Sequence, residues 1–165
     1  MERLRRFIWY LAGRLFLLLT LLSLFTVTFY YAMNATNIYI VLKDGMAKRA
    51  QVIMMDEDAS ELTKFFQSSY LQRDQNLQIA LEGKSPYTYY TVRGIDHRLK
   101  MTWMWCWPWD TTARAEFTET IPRIDGRVKS SSADAARALY GDGFEYPPKW
   151  QGGRYAATLV KENGQ

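Results

Sequence analysis

Histidine and cysteine are nearly missing from this chain: His97 and Cys106 stand alone among 165 residues. One cysteine excludes an intrachain disulfide. One cysteine and one histidine cannot supply the four ligands of a structural zinc site. The sequence also lacks a G-x-S-x-G nucleophile turn, a phosphate loop and a dinucleotide glycine fingerprint, so no cofactor is implied. Internal repeats and low-complexity stretches are absent. The stretch from Leu15 to Met33 holds 19 residues without a charge, and a membrane span needs about 20.

That run is the core of a longer apolar stretch, Phe7–Met33, interrupted only by Gly13 and Arg14. It predicts a transmembrane helix with Leu15, Leu22 and Phe29 in the anchor. Trp9 and Tyr10 at one end, and Tyr30 and Tyr31 at the other, sit where interfacial aromatics belong. Arg14 lies one turn inside the edge, within snorkelling distance of water. A cleaved signal peptide is the competing reading. The run is too long for an h-region of about 7–15 residues, and the exit FYYAMNAT offers no small-x-small cleavage site. Arg3, Arg5 and Arg6 precede the span, and Lys43 and Lys48 follow it. The positive-inside rule therefore predicts a single-pass protein of the cell membrane, its N-terminus cytoplasmic and residues 34 onward extracytoplasmic.

The net charge of +4 belongs mostly to this topology signal. Residues 1–33 hold four Arg and one Glu; residues 34–165 hold 17 basic and 16 acidic groups, a balance of +1. A nearly neutral outer part gives no footprint for nucleic acid. An exported domain without disulfides fits a bacterial envelope better than a small stapled ectodomain. The outer part is large enough for one core and too small for two. Asn34-Ala35-Thr36 matches a glycosylation acceptor, but it lies against the membrane and is taken as chance.

Three segments are predicted: a tail and transmembrane helix over 1–33, a juxtamembrane helix over 34–55, and an extracytoplasmic α+β domain over 56–165. In the second, Ile38, Val41, Leu42, Met46, Val52 and Ile53 have helical spacing, with Asn34, Thr36 and Asn37 as caps. A further helix starts at the D-x-x-E of Asp58 and Glu61 and carries Leu62, Phe65, Phe66 and Tyr70 on one face. A short helix or irregular segment over 72–83 ends at Gly83-Lys84-Ser85-Pro86. The period then changes to two, and Gly94 invites a bulge. From Ile95 the alternation predicts one half-buried antiparallel strand, with Ile95, His97, Leu99, Met101, Trp103, Trp105, Trp107 and Trp109 on the inward face. Cys106 then points to solvent. Residues 112–124 form another strand, with Ala113, Ala115, Phe117 and Ile121 facing one way. Ser130–Ser132 cap a helix over Ala133–Tyr140 that Gly141 stops. A last strand, Arg154–Lys161, precedes an Asn163-Gly164 turn. The fold class is α+β, with a curved antiparallel sheet of about four strands packed against helices.

The helix ASELTKFFQSSYL, the strand pair DHRLKMTWMWCW and TTARAEFTETIPRI, and the closing GRYAATLVKENGQ together resemble the nuclear-transport-factor-two-like (cystatin-like) superfamily over residues 50–165. The order of elements carries the resemblance; residue identities do not. The tryptophan these domains often carry after the closing Gly-Gln would fall beyond Gln165. A short cytoplasmic tail, one span and an exported domain also resemble the bitopic scaffold subunits of type IV secretion and conjugation machines. The resemblance implies an assembly subunit working through other membrane or envelope proteins, or through self-association, without chemistry of its own.

Two features carry the alternatives. His97 on an inward face is either a satisfied core histidine or a general base in a pocket, as in isomerase-like relatives. Asp96 points the other way, so the partner a base needs must come from tertiary folding. Trp103, Trp105, Trp107 and Trp109 recur at every second residue. They are either core packing with a partial interface, a stacking platform for cell-wall glycan, or a membrane-surface contact. Cys106 has no neighbouring base and is not expected to act as a nucleophile.

Overall fold

The computed structural model describes residues 2–161. Its first element is a single helix, α1, from Glu2 to Met55. At 1.5 Å per residue it is about 80 Å long. The apolar run and the amphipathic segment after it are thus one helix, with no cap between them. The chain offers no proline before Pro86 to break it. Thr36, expected as a cap, instead returns its hydroxyl to the carbonyl of Ala32 at 2.9 Å. Thr20, Thr26 and Thr28 do the same one turn back, a bond that keeps a threonine compatible with helix. The helix stops where Asp56 takes a left-handed φ of 58°, a conformation asparagine and aspartate tolerate at helix ends.

Residues 2–26 of α1 are exposed throughout. Burial begins on the far side, at Leu42, Gly45, Met46, Arg49, Ala50 and Ile53. Gly45 allows a close approach there: a Cβ would meet the Phe65 Cβ at 3.0 Å. The helix expected from Asp58 to Tyr70 is broken in two. A 3-10 turn covers Ala59–Lys64, and α2 covers Ser68–Arg73. Asp58 caps the first turn through the Ser60 amide. Glu61 does not complete a capping box, because its carboxylate goes to Lys48 and Lys64. A short helix, α3, follows at Gln75–Leu81.

The strands form two antiparallel sheets. β1 (Tyr90–Ile95) pairs with β4 (Ile124–Val128). β2 (Arg98–Trp105), β3 (Thr112–Thr120) and β5 (Gly153–Val160) form the order β2-β3-β5. The expected single curved sheet is divided at Asp96-His97, where the backbone leaves one sheet and enters the other. The expected bulge appears at Val92/Gly94. α4 covers Ala133–Tyr140 and ends at Gly141, whose φ is 62°. Ser132 occupies its cap position without a side-chain cap bond. The Asn163-Gly164 turn lies outside the described residues.

α1 joins two cores. Its last turns pack Ala50, Val52, Ile53 and Met54 with Leu62, Leu77, Tyr87 and Tyr90. One to two turns earlier, Leu42 and Met46 pack with Leu99, Ala115 and Phe117 of the three-stranded sheet. One helix therefore holds both sheets, and each fully buried leucine-sized side chain is worth about 2–5 kcal/mol against truncation to alanine.

Candidate functional site

The interface between α1 and the three-stranded sheet contains charge. Arg49 projects from α1 at the register of Leu42 and Met46, and it is only 3 % exposed. Its guanidinium binds Asp74 in two places: Nε to Oδ2, and Nη2 to Oδ1 at 2.9 Å. Asp74 also caps α3 by accepting from the Leu77 amide. On the other side, Arg49 Nη1 lies 3.9 Å from Oε2 of Glu119. Glu119, on β3, is fully buried. Its Oε1 meets His97 Nε2 at 3.0 Å. A carboxylate accepts there only if Nε2 carries the proton.

This chain of four groups, Asp74–Arg49–Glu119–His97, ties α1, α3, β3 and the β1–β2 connection together. Burial works against the Arg49 charge, but the Asp74 carboxylate and, more weakly, Glu119 hold its pKa above the ordinary arginine range. Burial, reinforced by the Glu119 charge, raises the Tyr155 hydroxyl. Arg49 Nη1, Glu119 Oε2 and His97 Nδ1 are buried without a hydrogen-bond partner. Such groups cost about 1–3 kcal/mol each. The Arg49 guanidinium also lies over the Trp150 ring, 5.8 Å from its centre.

His97 therefore has the tertiary partner that the sequence left open, and that partner is Glu119. Sequence reasoning missed Arg49, Asp74 and Glu119. Two of the three had a signal. Arg49 falls seven residues after Leu42, on the buried helix face. Glu119 continues the inward parity of Ala113, Ala115 and Phe117.

The tryptophans are placed otherwise than expected. The β2–β3 register shifts between Met101 and Trp103. This bulge reverses parity, so the strand's inward face continues through Met104 to Cys106. Cys106, expected toward solvent, is 1 % exposed. Burial pushes its thiol pKa up, which suits an inert packing cysteine. Trp103 and Trp105, expected inward, are 48 % and 50 % exposed, and Trp109 is 65 % exposed. Trp107 is half-buried. The indoles of Trp105 and Trp107 stack at 5.9 Å, and Trp107 meets Trp109 edge-on at 5.1 Å. The cluster caps the β2–β3 hairpin and reaches α1 at Tyr31. The Tyr31 hydroxyl donates to the Met104 carbonyl at 3.3 Å, and its ring packs edge-on against Trp107.

Two cavities flank these features. One, about 290 Å³, lies between the end of α1 and the Tyr87–Val92 segment, with Lys129 at its wall. The other, about 270 Å³, lies between Asn34–Val41 of α1 and the Cys106–Ala113 turn. Neither is lined by His97 or Glu119. Among the described residues no group of three or more His, Cys, Asp or Glu side chains is arranged to hold a metal ion.

Leu15, Leu22 and Phe29, the expected anchor positions, are exposed on α1, as are Arg3, Arg5 and Arg6 before them. The helix is long and apolar enough to cross a membrane, with a mean hydropathy of 2.0 over its most apolar window and none of that window buried. No family model, curated protein or solved structure matches the chain.

Proposed function

We propose that this chain is a single-pass, membrane-anchored assembly subunit of a bacterial cell-envelope complex of the secretion, conjugation or sporulation type. Its α+β domain works outside the cytoplasm by binding other proteins of the envelope or further copies of itself. The observation that carries this is the exposed apolar half of α1, continuous with a half that is built into the domain core. Burying one large apolar side chain is worth about 1.5–3 kcal/mol. More than a dozen such side chains in residues 4–33 are exposed, and a bilayer of about 30 Å covers Leu15–Met33 end to end. The charge asymmetry of Arg3, Arg5, Arg6 and Arg14 against Lys43 and Lys48 supports the cytoplasmic N-terminus. The order of helices and antiparallel strands supports a relationship to the nuclear-transport-factor-two-like scaffolds.

The domain also has an open strand edge. Among the described residues β5 pairs only with β3, and a free edge is a ready template for strand addition by a partner. Crosslinking and affinity recovery from native membranes test the proposal. The expected result is a discrete higher-mass species containing this chain, reduced when Ala156→Lys and Thr158→Lys charge the exposed face of β5. Recovery only as a free monomer contradicts it.

The buried His97–Glu119 contact favours a second reading, an isomerase-like domain with His97 as base. Against it, neither cavity reaches the pair, and a general base must reach its substrate. For a structural histidine, His97→Ala costs about 1–3 kcal/mol and leaves assembly intact in the folded fraction. Loss of function in a domain of unchanged melting temperature would favour the enzyme.

A further inference from the structure

We infer that the β2–β3 hairpin is a second membrane contact: its tryptophan cluster rests in the headgroup region of the same bilayer that α1 crosses. This rests on the reading of α1 as a span. Contacts along α1 set the hairpin's height. β2 places Leu99 against Leu42 and Met46, and five residues later the Met104 carbonyl meets Tyr31. The strand thus runs back along the helix toward its apolar end. Tyr31 lies two residues before Met33, the last residue ahead of the polar Asn34-Ala35-Thr36-Asn37 segment, about 3 Å along the axis. Leu15–Met33 itself spans about 28 Å, close to the thickness of the hydrocarbon core. The hairpin turn therefore meets the helix where hydrocarbon gives way to headgroups.

The chemistry at that level matches the place. Nine consecutive residues, Met101–Trp109, carry no charge, and Asp110, exposed beside Trp109, is the first ion after them. Trp103, Trp105 and Trp109 are each about half exposed or more, a poor arrangement for a surface facing only water. Indole joins a large apolar face to one N–H donor, the combination that favours membrane–water interfaces. The bulge at Met101/Trp103 is the device: it turns two indoles outward that unbroken alternation would have buried. Contact at two points, helix and hairpin, would fix the rotation and tilt of the domain over the membrane. A single helix leaves both free.

The test uses the full chain in phosphatidylcholine–phosphatidylglycerol vesicles whose lipids carry a quencher at the headgroup, at a shallow acyl position or at mid-chain. Tryptophan emission is compared between the parent and the variant Trp103→Ser, Trp105→Ser, Trp109→Ser; the difference isolates these three exposed indoles from Trp9, Trp107 and Trp150. Vesicle flotation at alkaline pH reports separately whether α1 is embedded. The expected result is co-flotation of both proteins, with the difference emission quenched about two-fold by headgroup and shallow labels and little by mid-chain ones, as for interfacial indoles. Flotation with an unquenched difference emission overturns the hairpin contact and leaves the span standing. An unquenched emission that responds instead to soluble peptidoglycan strands overturns it in favour of a glycan surface. Failure to float overturns both. If the triple variant does not fold, Trp109→Ser alone gives the same comparison from the most exposed indole.

Discussion

The two halves of α1 obey the same backbone geometry and differ in everything else. From Glu2 to Thr26 the side chains are exposed on every side of the helix, and the ion pair, cation–π contact and hydroxyl hydrogen bonds among them go to neighbours one turn away on α1 itself. From Leu42 to Met54 one face is buried against two sheets and carries a charged residue, Arg49, into the core. A uniformly apolar surface defines a solvent, because it suits lipid equally at every angle. A one-sided surface defines a partner. No residue separates the two regimes by breaking the helix, so the orientation of the outer half is passed rigidly to the inner one. A flexible linker at Asn34–Asn37 would have lost that coupling.

Substitutions that strike the buried half should do the most damage. Arg49→Ala leaves Asp74 and Glu119 buried without their cation. It should destabilise the domain by about 3–5 kcal/mol, seen as a large fall in the melting temperature. Next comes a matched pair on one helix. Leu42→Ala opens a cavity beside Leu99 and Phe117 and should cost about 2–5 kcal/mol. Leu22→Ala, twenty residues earlier on the same helix, should change the domain's unfolding midpoint in detergent by no more than about 0.5 kcal/mol. Equal costs at the two positions would erase the distinction between the halves.

A smaller effect is confined to the domain and depends on pH. Burial, with Tyr140 nearby, pushes the Tyr87 hydroxyl from 10.0 up to about 12. The unfolded chain then loses this proton before the folded one does. Stability is complete below pH 10 and falls as the pH rises toward 12, by an amount on the order of 2 kcal/mol. Tyr87→Phe removes that loss. Denaturant unfolding at pH 9 and at about pH 12 should show a smaller difference between the two values for the variant than for the parent.

Much of this was legible in the sequence, for a local reason. The long apolar helix, the helical spacing of Leu42, Met46 and Ile53, the inward alternation of Ala113–Phe117, the Gly141 stop and the Gly94 bulge are all set by residues close to one another. The tryptophan face was misjudged because a bulge at Met101/Trp103 has no glycine or proline to announce it; it arises from pairing with β3. The division into two sheets at Asp96-His97 is likewise a property of strand pairing, since β1 finds its partner in β4 only after the chain has passed through β2 and β3. The helix expected from Asp58 to Tyr70 is interrupted between Lys64 and Ser68, and Lys48 on α1 holds Glu57 and Glu61 ahead of the break. Of the charged cluster, Arg49 and Glu119 lay on faces whose periodicity already pointed inward. Their pairing with Asp74 and His97 required the third dimension.

The central claim is that α1 crosses a membrane and carries the domain to the far side. Fusing alkaline phosphatase after Gln165, and in parallel a reporter active only in the cytoplasm at the same site, tests this most directly in a bacterial host. The account predicts an active phosphatase and a silent cytoplasmic reporter, with the phosphatase fusion retained in the membrane fraction. A silent phosphatase with an active cytoplasmic reporter would contradict it.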